Sequence, residues 1–136
     1  MKKNIFLLAL LIAIVSGAYI GVNDYMKVNA TKAYVDLLLC EAIDQLATID
    51  YRSNPTQGDY NSARSVKVFK DAENYIPLRL KNDYYDCLKL LKYKNGDEFF
   101  YKRESLINSL GNLLEKFNVP IDYIQKESSL VQSKFN

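Results

Sequence analysis

Eighteen consecutive residues without a charge, Ile5 to Val22, constrain this chain more than any other feature. As a helix rising roughly 1.5 Å per residue, such a run is about 27 Å long, close to the thickness of a bilayer's hydrocarbon core. It follows Met1-Lys2-Lys3-Asn4, a short basic start. Its first part, Ile5 to Val15, is wholly apolar and ends at Ser16-Gly17-Ala18. A basic start, an apolar stretch and a small-x-small site together form the pattern of a secretory signal peptide, with Ala18 as the candidate cleavage position. The competing reading is a retained signal anchor. Apolar character continues through Tyr19, Ile20, Gly21 and Val22. Ala9, Ala13, Gly17 and Gly21 are four residues apart, so they share one helix face of the kind that lets membrane helices approach closely. These two features favour the anchor. Lys2 and Lys3 before the run, with Asp24 first after it, place the N-terminus in the cytoplasm and the remainder outside.

The sequence therefore divides into residues 1–22, a signal peptide or signal-anchor transmembrane helix, and residues 23–136, an exported domain. A chain of 136 residues has room for one such domain. The Lys/Asn-rich style points to a bacterium, with the chain anchored in the inner membrane and the domain on the periplasmic or extracellular side. A soluble periplasmic or secreted protein is the alternative if the segment is cleaved.

Within the domain, the apolar period is that of helices throughout. Val35, Leu38, Leu39, Ala42, Ile43 and Leu46 recur at spacings of three and four. A loop is expected at residues 52–58, where Asn54-Pro55 disfavours helix and Gly58 permits a turn. A weaker helix follows from about Tyr60 to Asn74, with Val66 and Phe69 inward. The next, about 77–94, places Leu80, Tyr84, Cys87, Leu88 and Leu91 on one face. Asn95-Gly96-Asp97 stops it and starts another, for which Asp97 is the expected cap. Phe99, Arg103, Leu106, Leu110, Leu113 and Phe117 then repeat almost every 3.5 residues, and a last helix covers about 120–134. The expected fold is all-α: an N-terminal hydrophobic helix followed by a compact bundle of about four to five short antiparallel helices.

Cys40 and Cys87 are the two cysteines. An even count in an exported chain implies a disulfide between them. They are too few, and too far apart in sequence, for a redox or metal motif, and the chain contains no His, the commonest general base and metal ligand. No nucleotide-binding loop, nucleophile elbow or zincin motif occurs. The paired carboxylates Asp97-Glu98 suit a helix N-terminus, and Asp83 with Asp86 suit a solvated helix face. Neither pair implies a cleft. No cofactor or metal is expected.

The net charge of +2 is spread unevenly: residues 59–94 carry 8 basic against 5 acidic side chains. The charges are mixed rather than bunched, which argues against a nucleic-acid face. Eleven tyrosines and no Trp are the oddest part of the composition. Tyr combines a large contact area with a polar tip, so Tyr60, Tyr85 and Tyr93 are candidates for an interaction surface, although half-buried packing is the plainer role. Taken together, the sequence implies a non-enzymatic, exported helical interaction module, a membrane-tethered structural, assembly or adaptor component with a protein partner. The second reading is a small periplasmic immunity or inhibitor protein that binds a toxin or hydrolase. An enzyme comes third.

Overall fold

The computed structural model describes the backbone of residues 2–93 and 96–135, and the side chains of Ala9, residues 24–92, residues 96–130 and Ser133. The fold is all-helical, with no strand among the described residues: α1 (Lys2–Ser53), α2 (Pro55–Asp71), α3 (Lys81–Leu90), α4 (Asp97–Lys116) and α5 (Ile121–Phe135). Short 3-10 turns at Ala72–Tyr75, Leu78–Leu80 and Leu91–Tyr93 carry the chain into and out of α3. The helices are not all short, because α1 spans 52 residues.

Local chemistry sets the helix ends. The loop expected at residues 52–58 is reduced to Asn54 alone. Asn54 has extended backbone angles, φ −148° and ψ 89°, and its side-chain oxygen accepts from the Gln57 amide and the Thr56 hydroxyl. Pro55 occupies the first turn of α2, where a missing N–H is harmless. Asp97 is not the cap of α4. That position belongs to Gly96, and Asp97 with Glu98 fills the first turn, where negative charge meets the helix dipole. At the other end of α4, Val119 N–H donates to Leu114 C=O and Asn118 N–H to Glu115 C=O, both at 3.0 Å. This is a Schellman closure, with Asn118 left-handed at φ 55°. Glycine adopts that conformation without strain. Asn118→Gly is therefore expected to raise stability by about 0.5–1 kcal/mol, seen as a higher urea midpoint. A lower midpoint would mean that the Asn side chain does more than fill the turn.

The core lies between α1, α2, α3 and α4. Phe69 of α2 stacks on Tyr84 of α3, with ring centroids 5.1 Å apart, and meets Phe99 of α4 edge-on at 5.3 Å. Tyr84 keeps its hydroxyl satisfied by donating to the Phe69 carbonyl at 2.8 Å. Leu37, Val68, Leu106 and Leu110 complete the fully enclosed centre. α1 runs antiparallel to α2 and to α4. Tyr51 meets Gly58 and Cys40 meets Ser65 along α1 and α2, while Asp44 meets Arg103 and Tyr34 meets Gly111 along α1 and α4.

The buried face of α1 differs in part from the expected one: Val35 and Ile43 are buried as expected, but the rest of the stripe is not. Ala33, Leu37, Cys40, Ile43, Asp44 and Ala47 are buried, whereas Leu38, Ala42 and Leu46 are exposed and Leu39 is half-buried. Small side chains at 33, 40 and 47 let α2 approach closely, and Asp44 pairs with Arg103 of α4, so the less apolar face is the one that packs.

The expected Cys40–Cys87 disulfide is not formed; both cysteines are free and buried. Each thiol has its own surroundings: Cys40 faces Ser65 and Arg103, and Cys87 donates to the Phe99 carbonyl at 3.8 Å. The even count suggested a bond, but packing has turned the two sulfurs to different partners.

Among the described residues, no helix is long and apolar enough to cross a membrane. The anchor expectation rests on Ile5 to Val22, including Ala13, Gly17, Ala18 and Gly21. Apart from the exposed Ala9, the side chains of that run lie outside the described residues.

Candidate functional site

Three helices bring their polar residues together at one place. On α1, Cys40 and Asp44 are one turn apart on the buried face. On α4, Arg103 occupies a position in the apolar stripe between Phe99 and Leu106, and it is only 4% exposed. On α2, Ser65 and Asn61 are also buried. The packing of α2 and α4 against α1 sets these side chains along the same stretch of the interface.

Arg103 Nη1 donates to Asp44 Oδ2 in a buried ion pair and lies 3.4 Å from Cys40 Sγ. Its guanidinium sits over the rings of Phe99 and Phe100, 5.4 and 5.2 Å from their centroids, so the cation has aromatic faces as well as a carboxylate. Cys40 Sγ and Ser65 Oγ are 3.3 Å apart, and the Ser65 hydroxyl is 3.5 Å from the Cys40 carbonyl. One turn beyond, Asn61 Nδ2 donates to Asp50 Oδ2, and Arg64 donates to Asn61 Oδ1 at 3.4 Å. Tyr51 closes this end by donating to Asp59 at 3.0 Å. Among the described residues, no buried side-chain polar atom lacks a hydrogen-bond partner.

A groove opens above the network between α1, α2 and α4, with Glu41, Thr48, Arg52, Ser62 and Glu104 on its walls. Its floor is the Asp44–Arg103 pair.

The electrostatics bear on reactivity. Burial pushes the Cys40 thiol upward, and the nearby Arg103 and the Ser65 hydrogen bond offset this only in part. Burial also raises the Cys87 thiol, to about 12. Both sulfurs therefore stay protonated near neutral pH, so neither is an activated nucleophile. The Arg103 charge is taken up by Asp44 rather than by a thiolate. Chemically, the arrangement is a clasp that joins three helices.

Two measurements follow from the thiols. A soluble alkylating reagent should label neither cysteine at an appreciable rate in the native protein, and both after unfolding; fast native labelling of Cys40 would contradict the sealed clasp. Stability should also fall in alkali. In the unfolded chain a cysteine ionises near pH 9, whereas folded Cys87 holds its proton to about 12. Cys40 and Tyr84 are raised as well, chiefly by burial. The stability these protonated groups support is present in full below pH 9 and is lost as pH rises towards 12, at up to about 1.4 kcal/mol per group per pH unit. A urea midpoint unchanged between pH 8 and pH 11 would refute this.

Of the aromatic candidates, Tyr60 is exposed on α2 beneath Arg64, and Tyr85 is exposed on α3 with its hydroxyl donating to Glu73 at 3.1 Å. These two sit on different helices, and the Tyr93 side chain lies outside the described residues. Sequence reasoning did not single out Asp44, Ser65 or Asn61. One signal was available: Arg103 stands in an otherwise apolar stripe, and a charge there needs a buried partner.

A second feature is apolar. Leu38, Ala42, Leu46 and Ile49 lie on one face of α1 and are all exposed, Leu46 at 46% and Ile49 at 60%. The same face is buried at Thr31 and Val35, one to two turns earlier. Among the described residues, no cluster of His, Cys, Asp and Glu could hold a metal ion. Compared with family models, curated proteins and solved structures, the chain matches none, so its residues alone carry the functional reading.

Proposed function

We propose that this chain is an exported, membrane-tethered helical interaction module, a structural or adaptor component that works by binding a protein partner. The observation that carries this reading is the exposed stripe Leu38–Ala42–Leu46–Ile49 on α1. Single exposed apolar residues are ordinary, but a contiguous row on one helix face is the form in which helices present a docking surface. The polar clasp supports the same reading: its charges and hydrogen bonds are consumed in joining α1, α2 and α4, which would give the stripe a rigid backing. The tether rests on sequence, on Lys2 and Lys3 followed by the uncharged run to Val22.

The test is a photoreactive amino acid placed at Leu46 of the full chain in its native membranes, with exposed Glu98 as the control position. A discrete adduct from position 46, absent from position 98, is the expected result. No adduct at position 46 would remove the interaction reading. Fractionation of the same cells tests the tether: a soluble mature chain beginning at Tyr19 would remove it and leave a released binder.

A further inference from the structure

A second surface, lined by α2 and the end of α3 rather than by α1 and α4, has a charge pattern that specifies what it would bind. Between the second half of α2 and the end of α3, a groove is floored by Val66, Leu88, Leu90 and Leu91. The first three are half-buried and pack against the core, so the floor is apolar and firmly backed. Lys70, Lys89 and Lys92 stand around it. Glu73 is the one carboxylate among the described lining residues, and it already accepts from Tyr85. Lys89 has Asp86 at 4.0 Å, but that pair is solvent-exposed and compensates little. The groove lies in the segment where basic residues outnumber acidic ones by 8 to 5, so the local excess and the chain's regional excess agree.

We infer that this groove is a docking site for a partner polypeptide segment with apolar anchors at helical spacing flanked by Asp or Glu. This rests on the interaction-module reading and names a partner chemistry for a second face of the module. The apolar floor takes the anchors, and the exposed Lys70 and Lys89 pair with the flanking acids while excluding basic segments. An extended strand is a poorer fit, because no sheet edge exists among the described residues for it to join. The apolar floor lies between two helices, where the apolar face of a third helix can lie along it. Charge complementarity of this kind sets partner choice more than raw affinity.

The experiment is a selection of displayed helical peptides, with randomised surface positions, against the full chain. Peptides enriched on the wild type should carry Leu, Ile or Phe at i, i+3 or i+4, and i+7, with Asp or Glu beside them. Lys70→Glu with Lys89→Glu changes only exposed side chains, so folding is expected to persist; binding of the enriched peptides should weaken about tenfold or more. The wild-type interaction should also weaken as salt is raised. No enrichment, enrichment of basic or neutral peptides, or binding undiminished in the double variant would overturn the proposal. So would failure of the selection combined with charge-dependent binding to phosphatidylglycerol vesicles, which would make the groove a lipid contact. If the selection fails while the Leu46 adduct forms, the groove assignment falls and the module reading stands. If the Leu46 adduct is absent as well, both fall.

Discussion

Arg103→Ala is expected to destabilise the protein by about 3–5 kcal/mol. The wild-type guanidinium is buried, paired with Asp44 and covered by Phe99 and Phe100. Removing it leaves the Asp44 carboxylate enclosed, at 8% exposure, without its cation. It also leaves a void between α1 and α4 beside Cys40. The burial of an acid that has lost this cation, more than the lost attraction itself, accounts for most of the cost, because taking two charges out of water nearly cancels what their pairing gains. The double variant Asp44→Leu, Arg103→Met should therefore recover most of the loss and could exceed the wild type, since it removes both charges and refills the volume. Urea unfolding followed by far-ultraviolet circular dichroism gives all three stabilities; the chain has no Trp, so indole fluorescence cannot report. A loss below about 1 kcal/mol for Arg103→Ala would place the pair among weak surface bridges and contradict the burial of both partners.

The two variants also separate the clasp's roles. If the groove above Asp44 and Arg103 only sits over structural residues, the double variant should bind the module's partner as the wild type does. If partner binding is lost while stability is retained, the floor of the groove contacts the partner. The Leu46 adduct reports this without any knowledge of the partner's identity.

What was legible in the sequence depended on how little choice the pattern left. In α4, Phe99, Leu106, Leu110 and Leu113 leave one apolar face, and that face is buried. Arg103 could be read as part of that stripe, but its acid could not, because Asp44 is contributed by α1 from 59 positions away. In α1 the periodicity identifies a helix without choosing its buried side. Leu38, Ala42 and Leu46 are as regularly spaced as Ala33, Leu37, Cys40 and Ala47, and the second set is buried because small residues admit α2. Tertiary approach overrode hydrophobicity there. The same approach shrinks the expected loop: Asn54 and Pro55 are breakers by residue type, yet Asn54 alone separates α1 from α2 and Pro55 begins the second helix. Cysteine parity failed for a related reason: it counts sulfurs and carries no information on where packing points them.

Gly58→Ala should destabilise the protein by about 2 kcal/mol, against the usual direction of such a change inside a helix. Gly58 lies in the first turns of α2 and is buried. In an exposed helix, Ala in place of Gly would contribute up to about 1 kcal/mol of stability through backbone entropy. Here a β-carbon would lie 2.8 Å from the Tyr51 backbone nitrogen and 2.7 Å from Tyr51 Cδ1. The ring could move at some cost; the backbone nitrogen is held in the last turns of α1 and cannot yield without shifting the α1–α2 elbow. That elbow is fixed on both sides, by the Asn54 cap and by the Tyr51–Asp59 and Asn61–Asp50 hydrogen bonds, so strain there is transmitted to the clasp. The urea midpoint should fall, and native labelling of Cys40 should become faster than that of Cys87, because Cys40 faces α2 through Ser65 whereas Cys87 is held between α3 and α4. A fall in midpoint without selective exposure of Cys40 would confine the strain to the turn. A stabilised variant would show that α1 and α2 approach less closely than the 2.8 Å contact requires.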